Sequence, residues 1–299
     1  AYGFMLEAGV QPGQLVHDLQ NHDEITYQLV PLDSRGDETL RFKGRQITGR
    51  QLREQTLNEM RSKAAGQAAP YNLLYRPGRD GLATTYAGFI AAGLGIRDLE
   101  RIAPEQEKEI QRGHRLIAFA NAMQPGVFSL SGWDLVGALP LPRESVEDRM
   151  TDADYRWINR GGIDLMGVNP RAKSSRFGLP RARALYGTLP EQLNDPASFA
   201  SQLKRMLAAR KRHRIAEGEL LAVPEVANSA LCFLVMRLPG KPAVAVTALN
   251  FSQDPAQERL ELGEVEGLEA SAFAGQPVVN GITEQPEGEV ASQGAVNIE

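Results

Sequence analysis

The chain is 299 residues long, enough for one large domain or two ordinary ones, and 42% of it is hydrophobic, an ordinary figure for a protein that buries a core. Its 33 Lys and Arg against 37 Asp and Glu leave a formal net charge of −4, which argues against a broad basic surface for nucleic acid or anionic lipid. A lone cysteine, Cys232, excludes an intrachain disulfide, and no apolar run reaches the length of a membrane span.

The N-terminal residues Ala1-Tyr2-Gly3-Phe4-Met5 lack the basic-then-apolar pattern of a signal peptide. With the single thiol, this points to a cytoplasmic, reducing setting. Residues 1–10 read as the tail of a helix, and 295–299 alternate like a strand that stops short, so the expectation is a fragment of a longer chain.

Residues 14–20 suit a short, mostly buried strand through Leu15, Val16 and Leu19. Residues 25–30 read as loop or helix, and 31–49 as a long loop of the functional kind. Residues 50–65 make a helix, with Leu52, Thr56, Leu57, Met60 and Ala64 at three- and four-residue steps and Gly66 closing it. A loop follows at 70–81 with Pro77-Gly78 as its turn, then a small-residue helix at 82–93. Residues 104–123 give the clearest helix. Pro104 suits its first position, Glu105 and Glu107 suit its positive end, and Ile110, Leu116, Ile117, Phe119 and Ala120 form the expected buried side.

A second strand is expected at 126–130, with Ser131-Gly132-Trp133-Asp134 at its tip. Strand, tip, helix, strand, tip is the rhythm of a parallel sheet or barrel. Residues 139–193 are loop-rich, and 198–216 return to helix through Phe199, Leu203, Met206, Leu207 and Ile215. The cluster Lys204-Arg205 with Arg210-Lys211-Arg212 is expected on a solvated face. Beyond 217 strands are expected at 231–236, 243–251, 259–262 and 270–273, with no helix between them and a polar, mobile loop at 283–292. This places a domain boundary between 1–216 and 217–299.

The chemistry-bearing stretch is Asn21-His22-Asp23-Glu24, directly after the first strand. Charged groups at a strand tip cost desolvation energy unless paired or solvated, and catalytic groups of (β/α)8 barrels sit at strand tips. The bland alternative is a satisfied core histidine, with Asn and Asp capping the next helix.

This segment resembles the motif at the end of the seventh barrel strand in the α-amylase superfamily of retaining glycoside hydrolases. Leu19-Gln20-Asn21-His22-Asp23-Glu24-Ile25-Thr26 is similar to its trehalose synthase (maltose α-D-glucosyltransferase) branch. So are Ala69-Pro70-Tyr71-Asn72-Leu73, the run from Gln124-Pro125-Gly126 through Gly132-Trp133-Asp134 to Ala138, and Arg156-Trp157-Ile158-Asn159-Arg160-Gly161-Gly162, all in the family's order.

The resemblance implies a fold: the C-terminal portion of a (β/α)8 barrel over 1–216, holding its last βα units with long loops, then an antiparallel β-sandwich over 217–299 lacking its last strand. It implies that Asp23 stabilises the transition state by hydrogen-bonding sugar hydroxyls, that His22 contacts the same sugar, and that Asn21 and Glu24 orient them or line the pocket. Trp133 would stack on a sugar or pack at the rim. Asp134 stands where the superfamily commonly has an acid after Gly, although Gly132-Trp133-Asp134 departs from the commoner Gly-Asp-Glu. Tyr71, Asn72 and Arg160 lie on loops that would close over the sugar.

The nucleophile and the acid/base belong to the family's fourth and fifth strands, which this sequence does not contain, so this chain alone is expected to be inactive. The complete enzyme is expected to interconvert maltose and trehalose by intramolecular transglucosylation with retention, holding glucose in a closed site. The loops at 31–49, 66–81 and 139–193 would serve as lids. Another α-glucan hydrolase or transglycosylase, or a non-catalytic carbohydrate-binding or assembly module, are the rival readings. No cofactor or metal is expected in this chain, a structural calcium ion in the full enzyme and an oligomer being left open; His17, His22, His114 and His213 have no zinc spacing.

Overall fold

The computed structural model describes residues 5, 8–26, 29–75, 81–292 and 294–298. The expected helix tail at 1–10 falls mostly, and the Pro77-Gly78 turn wholly, outside them. The described chain mixes helices with several small sheets and divides into two compact units, one holding 18–115 and 130–201, the other 2–17, 116–129 and 202–299. No helix among the described residues is long and apolar enough to cross a membrane.

The strand expected at 14–20 forms over Val16–Asp18 (β1), and its hydrogen-bonded neighbour is the other expected strand, which appears later in the chain over Val127–Ser129. Of the residues 25–30 expected as loop or helix, Ile25–Thr26 (β2) form a strand antiparallel to Gly81–Ala83, 27–28 lie outside the described residues, and Val30 opens a helix.

The expected long loop at 31–49 is instead a short helix, Val30–Ser34 (α1), and a hairpin of Thr39–Phe42 (β3) with Arg45–Thr48 (β4). Its turn residues Lys43 and Gly44 both take positive φ, 48° and 73°, as a two-residue hairpin turn requires. Lysine in place of the usual Asn or Asp disguised that turn.

The helix Gly49–Ala64 (α2) starts in a capping box in which Thr48 and Gln51 satisfy each other's backbone N–H. Leu57 and Ala64 are buried with Leu82 and Ala92 in one apolar cluster. The strand Leu73–Leu74 (β5) and Gly81–Ala83 (β6) complete the sheet β2-β6-β5. Leu82 and Ala83 thus belong to a strand, not to the helix expected from 82. That helix, Tyr86–Gly93 (α3), begins where the Thr85 hydroxyl caps the N–H of Gly88.

Helix Pro104–Ala122 (α4) appears as expected, but its fully buried stripe is Ile110, His114, Ala118 and Ala122 at four-residue steps. Leu116, Ile117, Phe119 and Ala120, expected to be buried, are only half-buried. After Val127–Ser129 (β7) comes Gly132–Val136 (α5), then a run of 3-10 turns, then Leu189–Leu193 (α6). Beneath that run lies a second apolar cluster, of Ala83, Val136, Ala138, Leu141, Val146, Ile158 and Ala182. Each fully buried aliphatic chain there is worth roughly 1.5–3 kcal/mol. Trp133, Tyr155 and Trp157 pack against it.

Phe199–Arg212 (α7), which lies in the second unit from residue 202 on, stops short of the expected 216, because Arg214 turns left-handed at φ 54°. Within its basic run Arg210 is buried, not solvated, and its guanidinium donates to the carbonyls of Ala122, Gln124 and Gly126. Glu219–Ala222 (β8), Leu231–Arg237 (β9) and Val244–Asn250 (β10) form an antiparallel sheet in the order β10-β9-β8. Cys232, on β9, is half-buried.

Glu258–Glu261 (β11) pairs with the C-terminal strand Ala295–Ile298. The strand expected at 270–273 is a helical turn, Ala270–Phe273 (α8): Ala-Ser-Ala lacks β-branched residues and favours helix. The loop expected at 283–292 contains Pro286–Glu289, which pairs with Pro277–Val279 (β12). This strand (β13) is exposed at every residue, so no apolar alternation marked it. Ala295–Ile298 (β14) is the last element.

Candidate functional site

The segment Asn21-His22-Asp23-Glu24 turns tightly after β1. The Asn21 side-chain oxygen accepts the Asp23 backbone N–H at 2.6 Å, a local turn that fixes where the Asp23 side chain starts. The residue just before it, Gln20, is buried and held three ways. Its N–H donates to Asp134 Oδ2 at 3.2 Å, its side-chain amide donates to the Asn159 carbonyl at 3.4 Å, and its amide oxygen accepts the Tyr86 N–H at 3.2 Å.

Asp23 lies with its carboxylate 41% exposed, 2.7 Å from Arg156 Nη1, 3.6 Å from His22 Nε2 and 4.0 Å from Arg160 Nη2. Arg156 also donates from Nε and Nη2 to Asp154, at 2.6 and 3.1 Å. The guanidinium, with Asp154 as its nearest partner, is held far up its ordinary range, and Asp154 is held below the usual carboxylate range by the same contact. Arg156 also lies over the Tyr75 ring, and Arg160 over the Trp157 ring at 4.9 Å. Asn159 Nδ2 donates to the Asp23 carbonyl at 2.7 Å, and Arg160 Nε to the His22 carbonyl at 2.8 Å. The four-residue tip is thus clamped from the 154–160 turn by backbone and side chain together.

Two buried acceptors at this place have no hydrogen-bond donor among the described residues: Glu24 Oε2 and Asn159 Oδ1. Glu24 Oε2 has Arg156 Nη1 only at 3.9 Å, an ion-pair distance rather than a hydrogen bond. A buried acceptor without a donor is rare in proteins. The half-open Asp23 carboxylate is the acceptor that the tip offers to a ligand, and the two buried oxygens lie behind it. The same arrangement holds no metal cage: among the described residues no three His, Cys, Asp or Glu side chains group to bind an ion.

The other expected ligand residues are placed differently. His22 is largely exposed beside Asp23. Asp134 is fully buried, a position the sequence did not disclose. Its carboxylate accepts from the Ser131 N–H and hydroxyl in a capping box, from the Gln20 N–H, and pairs with His114. The Trp133 indole N–H donates to the Gly161 carbonyl at 2.8 Å. Asn72 is buried, its amide donating to the Ala64 carbonyl and accepting from the Thr84 hydroxyl. Tyr71 donates to the Ile96 carbonyl at 2.7 Å, and burial pushes its phenol far up. The structure thus brings Asn21, His22, Asp23, Glu24 and Arg160 together and gives Asp134, Trp133, Asn72 and Tyr71 partners within the protein.

Sequence reasoning missed Asp154, Arg156, Asn159 and His114. His114 had a signal: it stands four residues after Ile110 and four before Ala118, on the innermost stripe of α4. A histidine there needs polar partners, and it finds Asp134 and Tyr186.

No family model matches the chain, and no curated protein matches it. Among solved structures it is similar to Eubacterium rectale Amy13B, at 17% identity and a TM-score of 0.43 over 72% of this chain and 35% of that one. It is similar to Bacillus licheniformis trehalose-6-phosphate hydrolase (TreA), at 16% identity and a TM-score of 0.41 over 62% and 36%. The trehalulose synthase MutB from Pseudomonas mesoacidophila MX-45 gives 13% identity and a TM-score of 0.41 over the same shares. The chain therefore spans about a third of the length of each of these structures.

Proposed function

We propose that this chain is part of a retaining enzyme of the α-amylase superfamily that acts on α-glucosides, and that within it the chain belongs to the trehalose synthase branch, interconverting maltose and trehalose. One observation carries the reading. Three separate segments that resemble that branch, at 19–26, 124–138 and 156–162, meet around Asp23, through Gln20 with Asp134 and through Asp23 with Arg156 and Asn159. Segments resembling one family in sequence order gain weight when they share one place.

In this reading Asp23 accepts hydrogen bonds from the sugar bound at the cleavage point. Those bonds tighten as the ring flattens toward the oxocarbenium-like transition state. Asn21 and Glu24 orient the carboxylate or line the pocket, and His22 contacts the same sugar. Arg156 and Arg160 set the carboxylate's direction. Asp134 acts from within, through Gln20. The nucleophile and the acid/base lie on strands outside this sequence, so this chain binds maltose, trehalose or glucose without turning them over. The domain boundary near 217, a cytoplasmic location and the absence of a cofactor belong to the same proposal.

Calorimetric titration with maltose tests it. The expected result is weak binding that disappears in Asp23→Ala, with no trehalose formed. Binding that Asp23→Ala leaves unchanged overturns the assignment of Asp23, and trehalose formation at an ordinary enzymatic rate by this chain alone overturns the assignment of the nucleophile to another segment.

A further inference from the structure

The first unit also holds a cavity of about 690 Å3, which is ample for a metabolite-sized ligand. It is charged unevenly. Arg171, Lys173, Arg181 and Arg183 line it against Asp164 and Glu191.

The walls are built, not draped. Residues 173–181 fold back on themselves, with the Arg181 N–H donating to the Lys173 carbonyl at 2.9 Å and the Ser175 N–H to the Leu179 carbonyl at 2.7 Å. The base of this turn is tied to Gly162, whose N–H donates to the Pro180 carbonyl at 2.8 Å and whose carbonyl accepts from Ala182 at 2.9 Å. Arg181 Nη1 donates to the carbonyls of Asn169 and Pro170, at 3.1 and 2.9 Å, and so fixes the facing loop.

That fold sets Lys173 directly opposite Arg181, and like charges placed so repel. The acids nearby offer little relief to Lys173. Asp164 pairs with Arg181 at 3.8 Å and accepts the N–H groups of Val168 and Asn169. Glu191 accepts the Thr188 N–H and hydroxyl, and Arg183 is taken by Glu107 at 3.1 Å. The exposed side chains of Arg171 and Lys173 have no ion pair or side-chain hydrogen bond among the described residues.

We infer that this cavity binds a small phosphomonoester, its phosphoryl group held between Arg171 and Lys173. Two unneutralised cations match a dianion, whereas a carboxylate would satisfy only one. Arg adds the planar fork that takes phosphate oxygens in pairs. The carboxylates of Asp164 and Glu191, which also line the cavity, keep lone pairs for hydroxyl groups, so the ligand's body is polar and hydroxylated. This inference is independent of the maltose reading and stands or falls without it.

The test is calorimetric titration of the whole chain with inorganic phosphate, with sodium chloride and sodium acetate at the same ionic strength as references. Millimolar phosphate is expected to bind while chloride and acetate do not, and Arg171→Ser with Lys173→Ser is expected to weaken it about tenfold or more, a loss of about 1.4 kcal/mol or more. Lys241→Ser, at an exposed residue that does not line the cavity, is expected to leave it intact. Both altered residues are exposed, so the double variant keeps the parent's melt; the milder Lys173→Gln serves where it does not. No phosphate binding, equal binding of chloride or acetate, or phosphate binding that survives these variants overturns the inference.

Discussion

His114 Nε2 stands 3.2 Å from Asp134 Oδ1, with the two side chains 1% and 0% exposed. The pair joins the inner stripe of α4 to the first turn of α5, and through Asp134 it reaches the backbone of Gln20 beside the acceptor cluster. On its other side His114 Nδ1 meets the Tyr186 hydroxyl at 3.1 Å, and the Phe199 ring lies 4.8 Å from the imidazole. Burial, with the charge of Asp134 adding to it, keeps the Tyr186 phenol protonated well beyond its ordinary range.

Removing either partner of this pair is expected to destabilise the fold unequally. Asp134→Leu strips acceptors from Ser131, Gln20 and His114 at once, and is expected to cost about 3–5 kcal/mol. His114→Leu leaves Asp134 with its other donors and is expected to cost about 1–3 kcal/mol. Urea unfolding compares the two, and an equal or reversed order would show that the carboxylate is not the hub.

Arg156 is expected to matter more to ligand than to fold. Its fork holds Asp154 while Nη1 holds Asp23. Arg156→Lys keeps the charge but cannot span both acids. Maltose affinity is expected to fall about tenfold, with a thermal midpoint within a few degrees of the parent. A large drop in the midpoint with unchanged affinity would make Arg156 a structural tie only.

Gly126 tests the approach of backbone to backbone in the second unit. It sits at φ 96°, and a Cβ there would meet the Leu15 carbonyl oxygen at 2.4 Å and that of Pro12 at 2.9 Å. Gly126→Ala is expected to cost about 3 kcal/mol or more, since strain and clash add. Gly95→Ala, also at positive φ but with nothing within 4 Å, is expected to cost only about 1 kcal/mol. Denaturant melts of the two variants, side by side, separate strain from clash.

His17 gives a pH signature. Burial, the larger influence, lowers its pKa from the usual 6.5, despite the opposing hydrogen bond to the Pro125 carbonyl. The folded protein therefore binds its proton less readily than the unfolded chain. Stability from this group is complete above about pH 6.5 and is lost as pH falls through the lowered folded pKa. His17→Gln, which keeps a donor for the carbonyl, is expected to flatten the stability curve between neutral pH and the carboxylate range. Melting midpoints measured across that range check it, and an unchanged slope would assign the titration elsewhere.

Much of the scaffold was legible where one local rule acted alone. The three- and four-residue steps from Leu52 to Ala64 in α2 and Pro104 opening α4 each announce an element within a few residues. The hairpin turn at Lys43-Gly44 was hidden because its first residue pays a backbone penalty that only the paired strands offset. The tip Asn21-His22-Asp23-Glu24 was visible as a polar cluster. Its partners were not, because Arg156 and Asn159 stand more than a hundred residues away and carry no periodic signal. The burial of Asp134, expected at a strand tip, and of Arg210, expected on a solvated helix face, was equally invisible: each is satisfied in part by backbone groups that sequence does not display.

The three-way hold on Gln20 bears on the order in which the protein assembles. Asp134 and Asn159 reach it across 114 and 139 residues of chain, so neither contact can form until those residues have left the ribosome. Closing such long loops is entropically expensive and slow compared with local helix formation. The acceptor cluster, although synthesised before its anchors, is therefore among the last parts of its unit to set. Until then residues 21–24 remain open to proteases, and limited digestion during synthesis or refolding will find them protected only once the 154–160 turn has docked.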